Sequence, residues 1–175
     1  MSTTTQARPA FGTVLADQMA IATYRNGQWG PHEIRATGPI EIHPAAHVLH
    51  YASECFEGFK AYRWADGSVR VFRMDKHVER MRQSARLLVL PVPDAEQLAQ
   101  MVLATIDRVR DQVPEPPGAL YMRPMLYGTM PNIGAASAPS NEATLIVLAS
   151  PVWDYFSGGM KPLRIYVEDQ KHRTA

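Results

Sequence analysis

Two dipeptides, Asn26-Gly27 and Asp66-Gly67, do most to limit the folds open to this chain. Each lies between runs rich in aromatic and β-branched residues: "MAIATYR" and "QWGPHEIR" flank the first, "FKAYRW" and "SVRVFR" the second. Asn-Gly readily takes the positive φ angles that a tight turn between antiparallel strands requires, and Asp-Gly serves the same purpose. Two hairpins are therefore predicted, and they open a sheet.

The segments that follow supply a cover for that sheet. In "MDKHVERMRQSARLL", residues 74–88, Asp75 is placed to cap a helix whose apolar face carries Val78, Met81, Ala85 and Leu88. In "DAEQLAQMVLATIDRVRDQV", Asp94 and Gln97 form a capping-box pattern. Leu98, Met101, Val102, Thr105, Ile106, Val109 and Val113 recur on one face until Pro114 ends the helix. "ALYMRPMLYG" and "ATLIVLASP" read as strands joined by the loop "TMPNIGAASAPSNE", and "LRIYVE", residues 163–168, reads as one more strand. Strands, then two helices, then strands make an α+β chain, without βαβ repeats or a dinucleotide glycine fingerprint.

At 175 residues, 46% of them hydrophobic and 20% charged, the chain can bury a real core. A net charge of +1 with interspersed signs gives no reason to expect nucleic acid or an anionic membrane as partner. The single cysteine, Cys55, excludes an intramolecular disulfide framework, and the six histidines lack zinc-site spacing, so no metal is expected. There is no apolar run of membrane-spanning length and no secretory signal, and a reducing, cytoplasmic setting is the simplest expectation.

Three segments could carry chemistry. Rotation by about 100° per residue along the first helix sets Arg82 and Arg86 on a charged outer face with Glu79, and leaves Arg80 near His77, Ser84 and Leu87, beside the apolar stripe. Arg80 then either lays its stem over apolar surface or holds a buried anion, a phosphate or carboxylate, with its guanidinium fork. Alternation in "ALYMRPMLYG" puts Tyr121, Arg123 and Tyr127 on one face, a cation between phenols suited either to a small organic anion or to a cross-strand salt bridge. In "LHYASECFEGFKAYR", Glu54 and Glu57 are too irregularly placed to define an acid/base pair, and His47 and His50 lack a third metal ligand; Gly58 allows close backbone approach among aromatic residues.

Taken together, "LHYASECFEGFKAYRWADGSVRVFRMDKHVERMRQSARLLVLP", "LYMRPMLYG" and "ASPVWDYFSGG", with "FGTVLADQM" and "GQWGPHEIRATGPIEIHPAAHVLHY" upstream, resemble the N-terminal part of branched-chain amino-acid aminotransferases. These are pyridoxal 5'-phosphate enzymes of the D-amino-acid-aminotransferase-like fold, fold type IV, and the likeness extends over residues 11–170. Residues 1–12, rich in Thr, Ser and Pro, read by composition as a flexible tail, and the resemblance implies a small α+β domain over 13–152, with a mixed or antiparallel sheet and two helices. An interdomain loop over 153–162 and the start of a large domain over 163–175 would follow.

By the same resemblance Arg80 binds the cofactor phosphate, Phe56 and Tyr155 line the pocket for the branched side chain, and Tyr121 and Arg123 form its polar edge, with Arg123 admitting the side-chain carboxylate of glutamate. Tyr51 reaches the active site of the neighbouring subunit of a homodimer. The implied reaction moves the amino group of leucine, isoleucine or valine to 2-oxoglutarate. The family's Schiff-base lysine stands in a glycine-flanked motif that none of Lys60, Lys76, Lys161 or Lys171 occupies; it is expected beyond Ala175, so these 175 residues alone are expected to be inactive. D-amino-acid transaminase and aminodeoxychorismate lyase share the fold and are the nearest alternatives; a non-catalytic dimerisation module and an anion-binding domain using Arg80 and Arg123 are the others.

Overall fold

Antiparallel pairing runs through the whole sheet of the computed structural model, which describes residues 8–134, 138–154 and 161–169. In chain order the elements are β1 (Gln18–Arg25), β2 (Gln28–Trp29), β3 (Glu33–Ala36), α1 (His47–Tyr51), β4 (Glu54–Phe56), β5 (Phe59–Arg63) and β6 (Val69–Val71). They continue with α2 (Met74–Leu87), α3 (Ala95–Arg108), a 3-10 turn at Arg110–Gln112, β7 (Ala119–Gly128) and β8 (Ala143–Val152). The sheet order is β2-β1-β8-β7-β5-β6, with β3 also on β1 and β4 also on β7.

Both hairpins form where the turn dipeptides stand. Asn26 and Gly27 carry φ of 53° and 81° and join β1 to β2, and Gly67, with φ of 76°, turns the chain between β5 and β6. The long β7 and β8 pair over their full length, from Ala119 opposite Val152 to Gly128 opposite Ala143, and form the centre of the sheet. One face of β7 sends Leu120, Met122 and Leu126 into the core under the helices; the other turns Tyr121, Arg123 and Tyr127 away from it, as alternation requires. Tyr127 joins Met19 and Ile146 in a smaller cluster on that second face.

The stripe read along the second helix is buried as a whole, from Leu98 through Val113. The caps differ from expectation. Asp94 occupies the N-cap position without a side-chain cap bond, and Gln97 instead donates to the Gly30 carbonyl at 2.7 Å, tying α3 to the β2–β3 connection. The cap of α2 is Arg73, with φ of 51°, while Asp75 sits in the first turn against Arg73 at 3.5 Å. Leu88 is exposed, and Leu90 takes the buried place. The Leu90 N–H reaches back to the Ala85 carbonyl, and the turn passes through Val89 at φ of 53°, so the chain swings inward two residues later than the helical stripe predicts.

Residues 161–169 do not form the strand expected over 163–168. Leu163, Ile165, Tyr166 and Val167 are exposed, and among the described residues no strand offers them a ladder. Strand propensity is realised only where a neighbour accepts the backbone hydrogen bonds.

Candidate functional site

The site is organised by a proline in a central strand. Pro124 of β7 accepts a hydrogen bond from the Glu57 N–H at 2.9 Å, so its carbonyl and the place of its missing N–H both face the neighbouring β4–β5 segment. The ladder to that side is carried by β4 as far as Phe56 opposite Met125, and resumes in β5 with Phe59 opposite Met122. Between them Glu57 and Gly58 belong to neither strand, and each is met by a group of side chains.

The first group surrounds Gly58. A Cβ at this position would lie 2.1 Å from the Tyr121 hydroxyl, so only glycine lets the phenol cross the backbone there. The Tyr121 hydroxyl accepts from Arg123 Nη2 at 2.8 Å and Nε at 3.2 Å. The same guanidinium lies over the Phe56 ring, 4.2 Å from its centroid, and Phe56 is itself largely exposed. Among the described residues no carboxylate pairs with Arg123, so the cross-strand salt bridge that the sequence left open is not formed there, and the charge rests on a phenol and an aromatic face. Beside it is a cavity of about 300 Å³ lined by Phe11, Leu15, Tyr121, Arg123, Leu148 and Ser150. A wider groove of about 520 Å³, next to Val89 and Asn141, shares none of these residues.

Phe11 was not singled out by sequence reasoning. Its ring meets Tyr121 edge to face at 5.0 Å, which brings Phe11 and Gly12, at the end of the stretch read as a tail, against the site. No local pattern marks it, because the contact spans more than a hundred residues.

The second group is an ion pair. Arg80 grips the Glu57 carboxylate with Nε and Nη2, a two-pronged fork, and Gly58 N–H donates to the same carboxylate at 2.8 Å. His77, stacked on Phe59 at 4.7 Å, lies 3.7 Å from Glu57. Helical geometry left Arg80 as either a cover for apolar surface or an anion holder; it holds an anion, and that anion is in its own chain. Burial pushes the Glu57 carboxyl up, but the Arg80 fork, the Gly58 N–H and the nearby charges hold it below the ordinary glutamate range. The Glu57 side chain is only 5% exposed while that of Arg80 is 63% exposed, so the outer edge of the guanidinium remains open to a second anion. Arg82 and Arg86 both bind Glu79, at 3.0 and 2.9 Å, as the outer-face reading requires.

The remaining candidates separate. Tyr51, on α1, donates its hydroxyl to the Ile133 carbonyl, apart from both groups. His47 lies against Ser53 and Ala138, and His50 against the Pro44 carbonyl, so both histidines are hydrogen-bonding residues. Among the described residues no cluster of three or more His, Cys, Asp or Glu could hold a metal ion. Glu54 is exposed on β4, away from any role as Glu57's partner. Tyr155 lies outside the described residues.

Comparison with known proteins gives these groups a family. A model of the class IV amino-transferases matches residues 54–170. The branched-chain-amino-acid aminotransferase of Mycobacterium tuberculosis is 41% identical over 173 residues, covering 95% of this chain and 45% of that protein. The chloroplastic branched-chain-amino-acid aminotransferase 5 of Arabidopsis thaliana is 39% identical over 166 residues, 94% of this chain and 40% of that one. The chain thus spans less than half the length of these relatives. Among solved structures, the branched-chain aminotransferase of Thermoproteus uzoniensis with norvaline superposes with a TM-score of 0.61 at 28% identity, over 80% of this chain and 43% of that one. A second solved branched-chain amino acid aminotransferase, that of "T.th.", complexed with N-(5'-phosphopyridoxyl)-L-glutamate, gives a TM-score of 0.56 at 25% identity, over 76% of this chain and 40% of that one. With a family model matching residues 54–170, about two thirds of its length, this chain belongs to the class IV aminotransferases.

Proposed function

We propose that the full-length polypeptide carrying this chain is a pyridoxal-phosphate-dependent aminotransferase that moves the amino group of leucine, isoleucine or valine to 2-oxoglutarate. The observation that carries this reading is Arg123 lying over Phe56 with no carboxylate partner among the described residues. A pocket serving both half-reactions must take an aliphatic side chain in one and a carboxylate in the other. An aromatic wall with an uncompensated guanidinium and a phenol at its edge offers contact to the first and charge to the second. The names of the relatives and the phosphopyridoxyl-glutamate bound to one neighbour support the same reading.

The donor set fits the phosphate end of such a cofactor. Arg80 is fixed by Glu57 on one edge and open on the other, an arrangement that presents a pre-oriented cation to a phosphate. When bound, the cofactor supplies the conjugated ring that takes up the electron pair of the substrate Cα–H bond. Arg80 then anchors and orients the phosphate, and Gly58 lets Tyr121 and Arg123 approach the substrate. Phe56, with Tyr155 of the following segment, shields the side chain from water, while Tyr51 extends toward the pocket of a second subunit in a homodimer. The covalent lysine belongs to a motif that this chain does not contain. Residues 153–162 would link this domain to a second one opening at 163–175. The buried, unpaired thiol of Cys55 suits a reducing, cytoplasmic setting.

The test is transfer from leucine to 2-oxoglutarate by the full-length protein, followed as separate half-reactions. Arg123→Leu should raise KM for 2-oxoglutarate by about tenfold or more while changing that for leucine by less than about threefold. Equal effects on both would remove Arg123 from carboxylate recognition. Arg80→Ala should deplete the bound cofactor far more than Arg82→Ala; equal retention in the two variants would sink the phosphate assignment.

A further inference from the structure

A buried histidine outside both arginine groups joins α1 to the loop between β7 and β8. His47 Nε2 lies 3.1 Å from the Ala138 carbonyl oxygen and Nδ1 lies 2.8 Å from Ser53 Oγ. A carbonyl only accepts, so Nε2 carries the proton and Nδ1 accepts from the Ser53 hydroxyl; the neutral ring satisfies both neighbours in one tautomer alone. An apolar residue of the same size would leave the buried Ser53 hydroxyl without this partner and release the Ala138 carbonyl of the loop.

The surrounding contacts make this ring the centre of a clamp. The His47 backbone N–H donates to the Met130 carbonyl, and the Asn132 N–H to the Ala45 carbonyl, so the main chains of α1 and the loop are joined beside it. Tyr51, one turn along α1, packs ring to ring with His47 at 4.7 Å and donates its hydroxyl to Ile133 in the same loop. Below, β7 ends in Gly128, where a Cβ would lie 2.8 Å from Ser53 Oγ and 2.7 Å from Ser140 Cβ. Ser53 therefore reaches His47 across a glycine, and Ser140 ties the base of the loop by accepting from Met130 N–H at 3.2 Å and donating to the Glu142 carbonyl at 2.6 Å.

We infer that His47 is a positioning residue: held as the Nε2–H tautomer, it fixes the loop against α1 and so sets the direction of the Tyr51 ring and hydroxyl. It touches no substrate. The inference rests on the aminotransferase reading, in which Tyr51 extends toward a substrate pocket.

In the full-length enzyme, His47→Gln sets an amide N–H near the place of Nε2, whereas His47→Asn reaches only the place of Nδ1. His47→Asn is expected to raise KM for leucine about tenfold with kcat and bound cofactor held within about twofold, and His47→Gln to recover most of the loss. Combined with Tyr51→Ala, His47→Asn should add nothing further, the mark of one residue acting through another. Additive effects, wild-type KM in His47→Asn, or equal loss of cofactor from both variants would overturn the inference. Failure of the unmodified enzyme to take an amino group from leucine counts instead against the activity reading. Imidazole nitrogen NMR of the unmodified protein then tests the clamp by itself, since a His47 signal of the Nδ1–H tautomer, assigned by its loss in His47→Gln, contradicts it whatever the activity.

Discussion

The carboxylate of Glu57 shows how a pair of residues 23 positions apart can escape a reading of the chain. Its neighbours in sequence suggest only an irregular acidic stretch, and its meaning comes from Arg80, which the fold carries across to it. Because its folded-state pKa lies below the ordinary value, the pair stabilises the fold above the unfolded glutamate pKa, near 4.5, and that contribution is lost as pH falls through the lower folded value. Glu57→Gln is expected to cost about 1–2 kcal/mol at pH 7, less than a fully buried pair because water keeps much of Arg80 solvated. In urea titrations the difference from wild type should shrink on acidification into the range below pH 4.5. A difference that grows instead would contradict the linkage. Gly58→Ala should cost about 1–3 kcal/mol because Tyr121 is pinned by Arg123 and Phe11, and Tyr121→Ala should relieve part of that cost; undiminished destabilisation in the double variant would mean the backbone, not the phenol, resists the methyl. Cys55, whose thiol is pushed up to about 11 chiefly by burial and then by Glu54, should react with a thiol reagent only on unfolding. Rapid labelling of the native chain would show that β4 opens locally.

Secondary structure was legible wherever its cause is local. The Asn-Gly and Asp-Gly turns, the α3 stripe and the alternation along β7 each follow from the spacing of side chains on a few consecutive residues, and each stands where the sequence puts it. The deviations occur where a tight local turn or a distant group competes. Gln97 abandons a capping box for the Gly30 carbonyl, Leu88 yields its core place to Leu90 after the turn at Val89, and "LRIYVE" lacks a partner strand among the described residues. Met101→Ala on the buried face of α3 should cost about 2–5 kcal/mol, whereas Leu103→Ala on its exposed face should stay within about 0.5 kcal/mol. Chemical denaturation distinguishes these outcomes, and comparable losses would place α3 with another face to the sheet.

For the molecule as a whole, exposed apolar side chains gather in residues 161–169 and beside Arg123. Leu163, Ile165, Tyr166 and Val167 are 63–85% exposed, and Phe56 lies beside Arg123 with over half its surface free. Residues 1–175 expressed alone should bind a hydrophobic dye and associate with rising concentration in light scattering, and Ile165→Glu with Val167→Glu should reduce both. A dye-silent, monodisperse chain would show that this segment folds back onto the domain. The α+β order of elements, the hairpins, the helix faces and the inequality of Arg80 with Arg82 and Arg86 are properties of neighbouring residues. They were readable because side-chain periodicity and turn chemistry act over one or two turns of chain. The Arg80–Glu57 fork, the Phe11–Tyr121 contact and the His47 clamp were not, because each joins groups whose distance in space is set by strand order and by the gap that Pro124 imposes, and only the packed sheet brings them together.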